Sequence, residues 1–188
     1  MKKTEILGKK FEEIIPSSEI DRRIRDLASE INRDYAGREV IFIGILNGAF
    51  LFAADLFRNI TLKARITFVK LASYEGTSTT GTVKELIGWN EDITGADVIV
   101  IEDIVDTGTT LERIVGELKI RKVASVRIAT LLLKPDACKK VIDVDYVGFR
   151  IPNDYVIGFG LDYEGYARNL PSVYKLIQYI FSLVSTKN

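Results

Sequence analysis

Three acids and a hydroxyl-rich turn stand close together in the run VIVIEDIVDTGTT, residues 98–110. Glu102 and Asp103 follow four aliphatic residues, and Asp106, Thr107, Gly108, Thr109 and Thr110 come next. Carboxylates offer oxygens to metal ions, sugar hydroxyls or protons, while threonines around a glycine offer hydroxyl and backbone N–H donors to an anion. Taken singly, each residue has an ordinary reading as a solvated loop acid or a helix cap. Together they do not, because three carboxylates beside an anion site repel the anion unless a cation, sugar hydroxyls or a proton-transfer task compensates. The chemistry this spacing points to is a phosphate, a sugar and a metal held in one place.

The surrounding elements fit that task. Val98, Ile99, Val100 and Ile101 form the β-branched run of a strand buried on both faces, and Leu111, Ile114, Val115 and Leu118 recur at helical spacing. The turn therefore falls at a strand-to-helix junction, where free N–H groups and the helix dipole favour an anion and Gly108 allows close backbone approach. The dipole contributes only about 0.3–1 kcal/mol, so specificity rests on the donors. Neighbouring side chains on a regular strand point to opposite faces, so joint work by Glu102 and Asp103 requires both to sit where the strand is ending.

Upstream, Ser18 opens an S-x-x-D cap, and Ile20, Ile24, Leu27 and Ile31 share one helical stripe. Residues 40–46 read as a buried strand broken by Asn47-Gly48, 49–58 as a helix and 66–71 as a further strand. Downstream, 123–133 is a buried strand ending at Lys134-Pro135, and 145–149 and 155–159 are short strands. This alternation predicts an α/β fold with a parallel sheet and crossover helices, whose ligands gather at the strands' carboxyl ends. The polar run SYEGTSTTGTVKELIGW, residues 73–89, is either a linker or a lid; its place just before the acidic strand favours a lid, with a hairpin around 79–86.

Composition narrows the classes. With 188 residues and 47% hydrophobic content, the chain suits one domain, residues 1–188, with a small appendage. Lys+Arg and Asp+Glu are 26 each, which gives no basic field for nucleic acid or a membrane surface. The lone Cys138 excludes an internal disulfide, and the absence of histidine excludes His-dependent triads. No run approaches a membrane span or a signal peptide, so a cytoplasmic protein is expected. There is no G-x-G-x-x-G and no G-x4-G-K-[ST], so dehydrogenase and P-loop readings fail.

The 98–110 run closely resembles the phosphoribosyl-diphosphate (PRPP) motif of type I phosphoribosyltransferases, two acids at a strand end followed by D-T-G-x-T. The resemblance implies a Rossmann-like core with helices on both faces, a hood from the N-terminal segment and residues 150–188, and a flexible loop based on Ser73-Tyr74. It implies that Asp106, Thr107, Gly108, Thr109 and Thr110 wrap the 5′-phosphate, that Glu102 and Asp103 hold the ribose directly or through Mg²⁺, and that Asp106 exchanges a proton with the purine.

The match extends through L-L-L-K, Tyr155-Val156 and GFGLDYEGYARNLP, and is similar to the hypoxanthine-guanine branch. Lys134 is then the donor to a purine 6-oxo group rather than a solvated lysine capping the sheet; Tyr155 stacks on the base and Val156 meets its edge. Asp162 completes the metal or base site, and Arg168 reaches pyrophosphate. Leu46-Asn47-Gly48 occupies the pyrophosphate loop, through a strained and often cis peptide, where relatives carry lysine or arginine before the glycine. The implied activity transfers the phosphoribosyl group from PRPP to N9 of hypoxanthine or guanine, with a homodimer or homotetramer as the assembly and no nucleic-acid or membrane partner. A xanthine-preferring enzyme and a non-catalytic PRPP- or nucleotide-binding regulator are the alternatives.

Overall fold

Alternating aliphatic runs become the strands of a six-stranded sheet in the order β5-β4-β3-β6-β7-β8. The computed structural model describes residues 2–71, 85–87, 92–138, 140 and 142–177. In chain order the elements are β1 (Lys3–Ile6), β2 (Lys9–Ile15), α1 (Ser17–Asp34), β3 (Glu39–Leu46), α2 (Phe50–Phe57), β4 (Lys63–Leu71), β5 (Glu85–Ile87), β6 (Asp97–Val105), α3 (Thr109–Ile120), β7 (Ser125–Leu133), β8 (Tyr146–Arg150), β9 (Val156–Ile157) and β10 (Val173–Leu176). Strands β4, β3, β6, β7 and β8 are mutually parallel, and β5 adds antiparallel at the edge.

The strand period of two divides the core. Val40, Phe42, Ile99 and Ile101 face α1 and α2, burying Ile20, Leu27, Ile31 and Phe52. Ile41, Ile43, Val98 and Val100 face the other way, onto Leu111, Ile114 and Leu118 of α3. Helices on both faces follow from strands that are aliphatic at every position. The chain leaves β3 through α2 to β4 on one side, then returns to place β6 on β3's other side. That reversal opens a crevice beyond the carboxyl ends of β3 and β6, where α/β sheets bind ligands.

A second sheet, β1-β2-β10-β9, draws its strands from the first and last described parts of the chain. Leu7 and Gly8, both with positive φ, turn the β1–β2 hairpin. At the opposite end of the main sheet from the crevice, Arg127 pairs with Asp34 at 2.9 Å and lies over the rings of Tyr35 and Tyr146, tying the end of α1 to β7 and β8. No helix among the described residues is long and apolar enough to cross a membrane.

Several boundaries differ from the sequence reading. Helix α1 starts at Ser17, after Pro16, and has no side-chain cap; Ser18 lies inside its first turn. The Ser17 N–H donates instead to Ser172 Oγ at 3.1 Å, so a residue distant in sequence replaces the local cap. Strand β7 begins at Ser125 rather than at residue 123, and Tyr155 precedes β9. The lid and its hairpin, with Ser73 and Tyr74, lie outside the described residues apart from β5.

Candidate active site

Strand β3 keeps pace with β6 only as far as the Gly44–Ile101 pair, whereas β7 stays paired with β6 to Val105–Leu133. Glu102 and Asp103 therefore lie inside β6, not at its end as expected, but in the stretch where one neighbour has already diverged. Both are buried, at 8% and 9% exposure. Adjacent on the strand and both buried, the two carboxyls act on one another's charge. Among the described residues, Glu102 Oε2 has no hydrogen-bond partner. Burial, reinforced by the charge of Asp103, pushes the Glu102 carboxyl well above its ordinary range. Burial also raises Asp103, opposed by hydrogen bonds from Glu102 and the backbone and by the charge of Arg168.

The loop after β3 stands directly over this pair. A Cβ on Gly48 would overlap Asp103 Oδ2 and Cγ and lie 2.8 Å from Oδ1, so only glycine admits the carboxylate. From the other side, Gly160, with φ +100, comes so near the Gly48 carbonyl oxygen that any side chain there would overlap it. The Leu46–Asn47 peptide is cis, in line with the resemblance, and the Asn47 side chain is exposed. Arg168 completes the column: its Nη1 donates to Gly160 O at 2.7 Å and its Nη2 pairs with Asp162 Oδ1 at 2.7 Å.

Past the acids, β6 runs into the turn. Gly108 takes φ +82 and opens α3. The hydroxyls of Thr107 and Thr109 lie 3.2 Å apart, and the Thr109 N–H approaches Thr107 Oγ1 at 3.4 Å. Residues 106–110 with Glu102 and Leu111 line a cavity of about 80 Å³. A larger hollow of about 540 Å³ beyond α3, near Val115, Lys119 and Val126, contains none of the groups singled out by the sequence. Volume alone does not mark a site; hydroxyl and N–H donors around a small cavity, as at the turn, are what an anion would need.

Lys134 stands across the ladder from Asp106. Its N–H donates to Val105 O at 3.0 Å, which fixes the strand end, and its Nζ donates to Asp106 Oδ2 at 2.9 Å. The lysine side chain is 9% exposed and the aspartate 47%. The Tyr155 ring is half exposed, its hydroxyl donating to Asp162 O at 3.1 Å and its plane perpendicular to that of Tyr163. Val156 is buried in β9.

Asp162 is already engaged through both oxygens, one by Arg168 and one by the Gly165 N–H at 2.7 Å. Among the described residues no three Asp, Glu, Cys or His side chains gather into a metal cage. Glu102, Asp103 and Asp162, expected as one set of metal ligands, are therefore not clustered. The partnerless Oε2 and the two buried acids do fit a magnesium ion that takes one or two carboxylates and fills its shell from a bound phosphate and water.

The model of the phosphoribosyl transferase domain matches residues 12–164. The chain belongs to that family. The chain is 41% identical over 169 residues to the hypoxanthine phosphoribosyltransferase of Salmonella typhimurium, covering 88% of this chain and 95% of the relative. It is also 41% identical to the bifunctional protein TilS/HprT of Listeria innocua, covering 90% of this chain but spanning only 26% of that protein. The crystal structure of a hypoxanthine-guanine phosphoribosyltransferase from Bacillus anthracis superposes with a TM-score of 0.82 at 37% identity, covering 89% of this chain and 97% of that one.

Sequence reasoning on this phosphoribosyltransferase missed Gly160 and the pairing of Lys134 with Asp106. The glycine left a signal: Gly158 and Gly160 interrupt an otherwise apolar run, a pattern that marks close backbone approach.

Proposed function

We propose that this protein is a purine-salvage phosphoribosyltransferase, transferring the 5-phosphoribosyl group of PRPP to N9 of hypoxanthine or guanine with release of pyrophosphate. The observation that carries the reading is the Lys134–Asp106 pair, a buried donor and an acceptor 2.9 Å apart beside a phosphate-sized turn. O6 and N7 lie side by side on one edge of a 6-oxopurine. A lysine donating to O6 and a carboxylate accepting a proton from N7 match that edge, whereas the 6-amino group of adenine meets Lys134 as donor against donor.

The remaining residues fall into place around it. The turn of residues 106–110 holds the 5′-phosphate through hydroxyls and N–H groups, Glu102 and Asp103 face the ribose, and Tyr155 covers the base. As N9 attacks C1′, positive charge grows on the ribose as in glycoside chemistry, and Asp106 takes the N7 proton as general base. The Asn47–Gly48 backbone and Arg168 receive the pyrophosphate. Glu102 and Asp103 would hold a magnesium ion together with the diphosphate, and that ion would supply charge neutralisation for the leaving group. Assembly as a homodimer or homotetramer belongs to the same reading and is measured by sedimentation.

The test is nucleotide formation from PRPP and Mg²⁺ with hypoxanthine, guanine, xanthine or adenine in turn. IMP and GMP are the expected products. Xanthine as the best substrate transfers the reading to the xanthine-preferring alternative, and no product with any base leaves a PRPP-binding regulator.

A further inference from the structure

The Lys134–Asp106 ion pair raises a question that recognition alone does not answer. The group proposed to take the purine proton is occupied, before any base arrives, by an ammonium with nine-tenths of its side chain buried. A buried ammonium does not leave its partner unless another acceptor replaces it, because an unpaired buried charge is far costlier than a paired one. The backbone of the lysine is fixed as well: Lys134 N is bonded to Val105 O, and Lys134 O accepts from Ala137 and Cys138 N–H, which holds the residue's main chain at the end of β7. Asp106, by contrast, is half exposed.

We propose that the pair is a lock on the proton acceptor which only a base with an acceptor at C6 opens. Resting on the phosphoribosyl-transfer reading above, this makes Lys134 a positioning residue acting through Asp106 as well as a contact to the base. Entry of a 6-oxopurine gives the ammonium a new oxygen and turns the Asp106 carboxylate toward N7–H. When N9 bonds to C1′ and the bond from C1′ to pyrophosphate breaks, the N7 proton passes to the freed carboxylate. A base with no acceptor at C6 enters the same space but leaves Lys134 on Asp106. Discrimination against it then falls on the chemical step and not only on binding.

Purine itself, with hydrogen at C6, separates the lock from plain recognition because it neither attracts nor repels the lysine. In the wild-type protein the lock predicts a kcat for purine at least about tenfold below that for hypoxanthine at saturation. Lys134→Met and Lys134→Gln, which remove the charge, raise the purine kcat by about tenfold or more while lowering kcat/KM for hypoxanthine, and the rise disappears in the Asp106→Asn background. If Lys134 only contacts O6, both variants leave purine turnover unchanged. That result overturns the lock, as does a wild-type purine defect confined to KM, a comparison that needs no variant to fold. Failure of the wild-type protein to make IMP from hypoxanthine instead overturns the functional reading itself.

Discussion

Replacing Gly48 by alanine tests whether the loop after β3 is set by its contact with Asp103. The added Cβ would overlap Oδ2 and Cγ, so loop and strand must part by about 1.5 Å to restore van der Waals separation. Asp103 has little room to retreat, being buried inside β6 beside Glu102, and the Gly48 carbonyl lies close to Gly160. Overpacking of this kind costs about 1–3 kcal/mol. In a chain of this size each kcal/mol lowers Tm by about 2–4 °C. Function should suffer more than stability, since a displacement near 1 Å of a group that positions substrate costs on the order of 10²-fold in rate. The assay is kcat/KM for PRPP at saturating hypoxanthine, at a temperature where a thermal scan shows the variant fully folded. Gly116→Ala is the control: it lies in α3 with open space around its Cα, and should keep full activity while gaining up to about 1 kcal/mol of stability. Wild-type kcat/KM together with wild-type Tm in Gly48→Ala would refute the reasoning.

Other perturbations address single groups. Asp106→Asn should lower kcat by about 10²–10⁴-fold while PRPP still binds through the turn, and near-normal kcat removes Asp106 from the base role. Glu102 binds its proton more tightly folded than unfolded, so the folded state gains protons relative to the unfolded one and stability falls as pH rises from the ordinary value of 4.5 through the raised one. Glu102→Gln should flatten that fall in urea titrations at successive pH values; an unchanged slope means the acid is not the cause. Asn47→Lys restores a cation to an exposed position of the pyrophosphate loop and should lower the pyrophosphate KM of the reverse reaction by about 3- to 10-fold, with unchanged constants defeating the idea.

The turn at residues 106–110 was legible because it is local: one glycine, its threonines and the helix that follows occupy consecutive positions. The stripe of Ile20, Ile24, Leu27 and Ile31 was legible for the same reason, all four being buried in α1. What escaped depends on strands meeting. That Glu102 and Asp103 lie within β6, beyond the reach of β3, follows from the divergence of β3 after Gly44, a property of a neighbouring strand. The closeness of Lys134 to Asp106 depends on the register of β7 against β6, which periodicity does not reveal. The S-x-x-D pattern at Ser18 misled because Ser172, just before β10, supplies the bond a local cap would have made.

The stacking of Gly160 on Gly48 and of Gly48 on Asp103 divides one short loop into two kinds of position. At Gly48 a side chain would run into the Asp103 carboxylate, and the position accepts none without moving that acid. Asn47, one residue earlier, is exposed. Charge on this loop is thus an interchangeable fitting on a fixed mount. A library randomised at residue 47 should yield a graded series of pyrophosphate affinities on an undisturbed fold, whereas one randomised at residue 48 should return glycine.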